Sequence, residues 1–316
     1  MKYGTYRITE CGNYVLTEDI VVNFNKPVEP FVYENGDSPN AYNMDDLPWF
    51  PTTEQQESGQ YFGLDDFWGA YSLGFSAAIT IETKHVYLNL NGHSISMDPE
   101  FYLQQRFFAL ILLGSKPFEA RQGPVDFGRD DIHIKDIEIK NGKLGLSSHH
   151  GIMGLSAGNT NIRDLQIMHF DTHGIQCNGC SGMKLENLKI GPQNTNIPVL
   201  GRYTHARSML SRLRYMVEEY GDESLRFANR KEETTVQELA DKFVEQMDMV
   251  YYHVTQGIEF DDNDEQWIAA KKTFINENGW LDGASCYGIL MNGEGTAVVN
   301  IGRRRHNSFD ITMRNI

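Results

Sequence analysis

The residues with the most chemical capacity crowd into one stretch. His149, His150, His169 and His173 fall close together, with Asp171 between the last two. A histidine beside a carboxylate can exchange protons near neutral pH, so His149, His150 or His173 with Asp171 is a candidate acid–base set. The competing reading is a stack of rings within a structural repeat, and no spacing here is diagnostic. Residues 173–180 read HGIQCNGC, which adds Cys177 and Cys180 as a CxxC pair. A structural zinc site needs four ligands, commonly two such pairs, and this chain has one. A redox CxxC opens a helix, whereas Asn178-Gly179 between these cysteines signals a turn. The two thiols therefore read as small apolar corner residues, and no metal is expected on them.

Three further groups carry some chemistry. Arg303, Arg304 and Arg305, followed by His306, form a basic cluster in an acidic chain. It reads as a solvated turn or as an anion contact for uronate, sulfate or an acidic partner. Trp49 and Trp68 stand among the rings and acids of residues 25–74. Aromatic faces stack on sugars, and they serve equally to pin a long loop to a flank. Asp136, Asp164, Asn187 and Asn315 line up as one repeated position. Calcium is the cofactor such a column could hold, against the simpler reading that corner Asp and Asn bond local amides.

A repeat must position these residues. HGIMGLSAG (150–158), HGIQCNGC (173–180) and YGILMNGEG (287–295) each place a ring before Gly-Ile and a small or polar turn after it. The first two copies lie 23 residues apart. A second motif joins 134–139 (IKDIEI), 162–167 (IRDLQI), 185–190 (LENLKI) and the last residues, Met313 to Ile316, at intervals of 28 and then 23. Short strands with period-two alternation, recurring at this distance, predict stacked coils of parallel β-structure. If the strand through HGI is unbroken, ring and isoleucine share a face. Tyr287 then continues the column of His150 and His173.

The opening Ile8 to Leu16 with Asp19-Ile20, the strand pair HVYLNLNGHSI (85–95) and the coils at 130–191 and 284–316 resemble the right-handed parallel β-helix, or pectate-lyase-like, superfamily. The texture is also similar to β-helix proteins of large algal and amoebal DNA viruses. The resemblance implies an all-β solenoid. It also implies a choice of activities, since that fold hosts lyases, hydrolases, epimerases, tailspikes and non-catalytic scaffolds. The lyases hold calcium in acidic clusters and use a Lys or Arg base, and the hydrolases group aspartates. Neither set is recognisable in this sequence.

Two segments interrupt the repeat. Residues 25–74 form a proline-broken aromatic and acidic loop. Residues 192–282 read as a helical insertion, with Thr235-Val-Gln-Glu238 as a capping box ahead of a stripe at Val236, Leu239, Phe243, Met247, Val250 and Val254. The expected organisation is a first coil and cap over 1–24, the loop over 25–74, coils over 75–191, the insertion over 192–282, and a coil over 283–316. An end at Ile316 inside a coil reads as a fragment of a longer protein.

The 316 residues are 40% hydrophobic with a formal charge of −15. Such a chain builds a core and repels phosphate backbones and anionic lipid, so neither nucleic acid nor a membrane is an expected partner. The N-terminal residues show no signal-peptide run and no stretch long enough to span a bilayer, which leads us to expect a soluble intracellular or virion-associated protein. Two function classes follow: a non-catalytic scaffold or attachment module whose loops or helical insertion bind polysaccharide or protein, with oligomers allowed, or a polysaccharide lyase or glycoside hydrolase acting on acidic polysaccharide.

Overall fold

The computed structural model describes residues 5–23, 75–104, 107–114, 133–191, 210, 213–214, 216–219, 221, 224–225, 234–258, 261, 263–265, 268, 287–292 and 309–316. The 25–74 loop, with Trp49 and Trp68, lies outside them, as do Arg303, Arg304 and Arg305.

Two parallel sheets dominate. The first runs β1 (Tyr6–Ile8), β4 (Phe75–Ile81), β7 (Phe107–Leu113), β9 (His150–Leu155), β11 (His173–Asn178) and β15 (Tyr287–Asn292) in spatial order. The second is built on β2 (Gly12–Val15), β5 (Val86–Asn89), β8 (Lys135–Ser147), β10 (Gly158–Phe170), β12 (Ser181–Gly191) and β16 (Phe309–Arg314). There β3 (Ile20–Val22) pairs with β6 (Ser94–Met97), and β6 pairs in turn with β8. Each chain pass adds one parallel strand to each sheet, which makes the architecture all-β and solenoid-like. Among the described residues both sheets are open.

The rungs confirm the coil length read from the sequence. Lys135 faces Gly158 and Gly158 faces Ser181. His150 faces His173, 23 positions on. Inward residues stack in like columns: Ile79, Ile111, Ile152, Ile175 and Ile289 form one continuous ladder. The first four are at most 1% exposed. Such a ladder buries a branched aliphatic side chain in every coil; at roughly 25 cal/mol per Å² of apolar surface this is the main favourable contribution to stacking.

Corners are made by residues in left-handed backbone, which Asn, Asp and Gly tolerate best. One column holds His85, Asp136, Asn159, Gly182 and Asp310, and another holds Asn141, Asp164, Asn187 and Asn315, all at positive φ. This corrects the sequence alignment, which put Asp136 in line with Asp164. Register sets Asp136 against Asn159 and Asp164 against Asn141. The two corners of a coil lie five residues apart and each is followed by the same aliphatic pattern. The 28-residue interval is one coil plus that offset.

Helices decorate this body. Asp98 caps the short α1 (Pro99–Gln104) by accepting the Glu100 N–H at 2.9 Å. A small antiparallel pair, β13 (Ser224–Leu225) and β14 (Thr234–Thr235), leads into α2 (Val236–Gln256). The expected capping box is present: Thr235 Oγ1 accepts the Glu238 N–H at 3.1 Å, and Glu238 accepts the Thr235 N–H at 3.0 Å. Gly257, at φ 66°, ends the helix with its N–H on the carbonyls of His253 and Val254. Val236, Ala240, Met247, Val250, Tyr251 and Val254 are buried in one cluster with the coil core, and the helix packs against α1. No described helix is long and apolar enough to cross a membrane.

Candidate functional site

The fold brings the four acid–base candidates to one corner. Ser148 and His149 turn the chain from β8 into β9, and Asp171 and Thr172 turn it from β10 into β11, one coil later. The turns are locked together through the backbone. Asp171 N–H donates to the Ser147 carbonyl at 3.0 Å, and the N–H groups of Thr172 and His173 donate to the His149 carbonyl at 3.0 and 3.1 Å. Ser147 Oγ donates to the His150 carbonyl at 2.7 Å.

The rings stack across these turns. His149 and His150 have centroids 3.8 Å apart, and those of His150 and His173 are 5.1 Å apart. Nδ1 of His150 and Nδ1 of His173 are separated by 3.3 Å, so one ring donates an N–H and the other accepts it. Asp171 accepts a 2.6 Å hydrogen bond from the Tyr102 hydroxyl of α1. All of this is dry: His149, His150, Asp171 and His173 are 6%, 0%, 7% and 7% exposed. Burial pulls the His173 imidazole down to about 4, which leaves it neutral at physiological pH.

The column faces away from the isoleucine ladder. Ala77 and Ala109, in register with His150, cluster with Leu112 and Met153 apart from the main core. The condition of an unbroken strand fails, so ring and isoleucine do not share a face. The position before the isoleucine also faces the core, as Ala78 and Leu110 do in earlier coils, and at Gly151 and Gly174 it has no room for a side chain. A Cβ on Gly151 would point inward, 2.7 Å from Ile167 Cγ2 and 2.6 Å from the Gly174 carbonyl oxygen. A Cβ on Gly174 would meet Ile190 Cγ2 and the Gly288 carbonyl oxygen, each at 2.7 Å. Alternation breaks at this position in every one of these coils, so that two successive residues face the core. Tyr287 continues the column by backbone register.

The CxxC lies inside the coil. Cys177 and Cys180 are thiols fully buried in the main core, and a Cβ on Gly154 would sit 2.9 Å from Cys180 Sγ and 3.2 Å from Cys177 Sγ. The hydrogen bond with Cys180, together with burial, holds the Cys177 thiol well above its ordinary range. Gly179 makes the expected turn at φ 68°. At the outer corners, Asn187 Nδ2 donates to Asp164 Oδ1 at 3.0 Å and Asn315 Nδ2 to Asn187 Oδ1 at 2.9 Å, while Asp136 accepts from Asn159. These carboxylates serve amide ladders. Among the described residues, no group of three or more His, Cys, Asp or Glu side chains is arranged to hold a metal ion.

Sequence reasoning missed two participants and one separate buried ion pair. Tyr102 reaches Asp171 only because α1 folds back over the corner; the Asp98-Pro99 start signal was the available clue. Tyr251 of α2 hydrogen-bonds Glu100 of α1, whose carboxyl burial pushes up, so the insertion is tied to the element that holds Asp171. Glu82, with its side chain wholly buried, receives Arg7 Nε and Nη2, each at 2.7 Å, and Thr80 Oγ1 at 2.6 Å. No family model matches this chain, nor does any curated protein or solved structure.

Proposed function

We propose that the chain is a right-handed parallel β-helix of the pectate-lyase-like kind, serving as a non-catalytic scaffold or attachment module that binds glycan or protein through its loops and helical insertion. The observation that carries this reading is the burial of every acid–base candidate. A catalytic pair must reach the bond it cleaves. His149, His150, Asp171 and His173 are each less than a tenth exposed, and the backbone on either side of them is locked turn to turn. Amide ladders and inward thiols extend the same structural use of chemically capable residues.

The second reading is a lyase or hydrolase acting on acidic polysaccharide. It is favoured by the meeting of three imidazoles, a carboxylate and a tyrosine hydroxyl at one corner. Incubation with alginate, pectate and sulfated algal glycans separates the two, following ultraviolet absorbance of unsaturated product and new reducing ends. The scaffold reading expects no turnover, together with retention on one of the immobilised glycans or on a protein partner. Turnover that disappears in His173→Gln would overturn it.

A further inference from the structure

The histidine corner and the helix of the insertion meet on one short element. α1 is six residues long. An isolated helix needs about 12–15 residues to persist in water, so α1 keeps its shape through what its side chains grip. Three consecutive residues grip three different parts of the molecule. Glu100 accepts a hydrogen bond from the Tyr251 hydroxyl of α2. Phe101 sets its ring at 90° to that of Phe108 in β7, with centroids 5.6 Å apart. The Tyr102 hydroxyl donates to Asp171 Oδ1 at 2.6 Å. α1 packs on α2 and on β8, the strand that runs into the corner at Ser147.

Both polar grips are sheltered from water. Tyr102, Asp171 and Tyr251 are buried and Glu100 is half-buried. A tyrosine hydroxyl on a sheltered carboxylate is a strong bond, and losing it takes a donor from a group that water does not readily serve. Each end of the path also has a backbone reporter. At the corner, the N–H groups of Asp171, Thr172 and His173 are held by the carbonyls of Ser147 and His149. In α1, the Tyr102 N–H is held by the Asp98 carbonyl at 2.9 Å. These amides exchange with solvent only when the turn or the helix opens.

We propose that α1 is a latch between the insertion and the histidine corner: α2 holds α1 through Glu100, α1 holds the corner through Tyr102, and drawing α2 away unseals His149, His150, Asp171 and His173. The position of α2 then sets access to these side chains, whether or not they catalyse a reaction. Because the coupling is an equilibrium one, it runs both ways: loosening the corner also loosens α2.

Tyr251→Phe tests this, because it removes one hydroxyl from α2 and keeps the ring. Hydrogen exchange of the full chain, read by mass spectrometry, should become about tenfold faster in the peptide carrying Tyr102 and in the peptide carrying Asp171 to His173. The coil strand from Ile162 to Ile167 should stay as protected as before. Tyr102→Phe should open the corner by a similar factor and speed exchange around Tyr251 as well. Carbethoxylation of His149, His150 and His173 by diethyl pyrocarbonate should rise with exchange in both variants. Tyr87→Phe, at an exposed ring on the second sheet, should change none of these. The latch is overturned if Tyr251→Phe leaves the corner as protected as in the parent, whether or not α1 loosens. It is overturned equally if the Ile162 to Ile167 strand loosens by the same factor, since the hydroxyl then serves overall stability and not this path.

Discussion

The same coils build two outer faces, and the two have opposite characters. On the first sheet, the row Thr80, Leu112, Met153 and Gln176 and the row Ala77, Ala109, His150 and His173 are closed off from water, none above 7% exposed. On the second, Glu138, Lys140, Arg163 and Glu186 stand half-exposed, and Tyr87 is 44% exposed. There Arg163 Nε meets Glu138 Oε1 at 2.7 Å and Lys140 Nζ meets Glu138 Oε2 at 3.1 Å. Burial raises the Glu138 carboxyl, but its hydrogen bonds from Arg163 and Lys140 outweigh this and hold it below its usual range. Period-two alternation treats both faces alike. Cover decides whether an outward histidine becomes part of a dry stack or an outward arginine part of a solvated pair.

The contrast can be broken most severely at the dry corner. Gly174→Ala would place a Cβ 2.7 Å from both the Gly288 carbonyl oxygen and Ile190 Cγ2, with backbone on one side that cannot step aside. We expect a loss of about 3 kcal/mol in denaturant unfolding, or failure to fold. Gly145→Ala, whose Cβ would approach no closer than 3.4 Å to the Met168 carbonyl, should cost under about 1 kcal/mol. Equal losses would show that the close coil approach is not what requires glycine.

Next in size is acid sensitivity. His173 titrates near 4 in the fold against 6.5 when free, so the unfolded chain takes up its proton first as pH falls. Stability contributed by the neutral ring is present above pH 6.5 and lost as pH drops through 4, by about 2–3 kcal/mol. His173→Gln should flatten that part of a stability-against-pH curve, and an unchanged slope would remove His173 as its source.

Asp248 on α2 has the opposite sign. Burial pushes its carboxyl up to about 7 despite the attraction of Arg214, and it is 5% exposed with one oxygen unpartnered. Its contribution is therefore greatest below pH 4 and is lost as pH rises through 7. Asp248→Asn should stabilise the protein by about 1–2 kcal/mol at pH 8 and make little difference at pH 4, measured by thermal unfolding. The smallest effect belongs to the wet face. Arg163→Met should cost less than about 1 kcal/mol and cost less still at high salt, because the pair is screened by water.

Much of this was legible in the residues. Coil length followed from HGIMGLSAG and HGIQCNGC, because each coil reuses one strand and one turn. The cap of α2 followed from Thr235 and Glu238, whose bonds are local. The cysteines read as fillers, and they lie in the core beside Gly154. The misplaced Asp136 and the open orientation of the histidine column share a cause. Setting the column of Asp136, and the face of the histidines, both required knowing where left-handed corners lie and where alternation resets. Several residue types tolerate those conformations, and the motif around one corner mimics that around the next.

The sequence by itself determined the period of the stack, the aliphatic columns and the helix ends, because neighbours in the chain enforce all three. Only the tertiary structure decided that His149, His150, Asp171 and His173 meet and are dry, that Tyr102 holds Asp171, and that α2 buries its stripe beside α1. Those outcomes depend on contacts between residues tens of positions apart, whose burial no local pattern encodes.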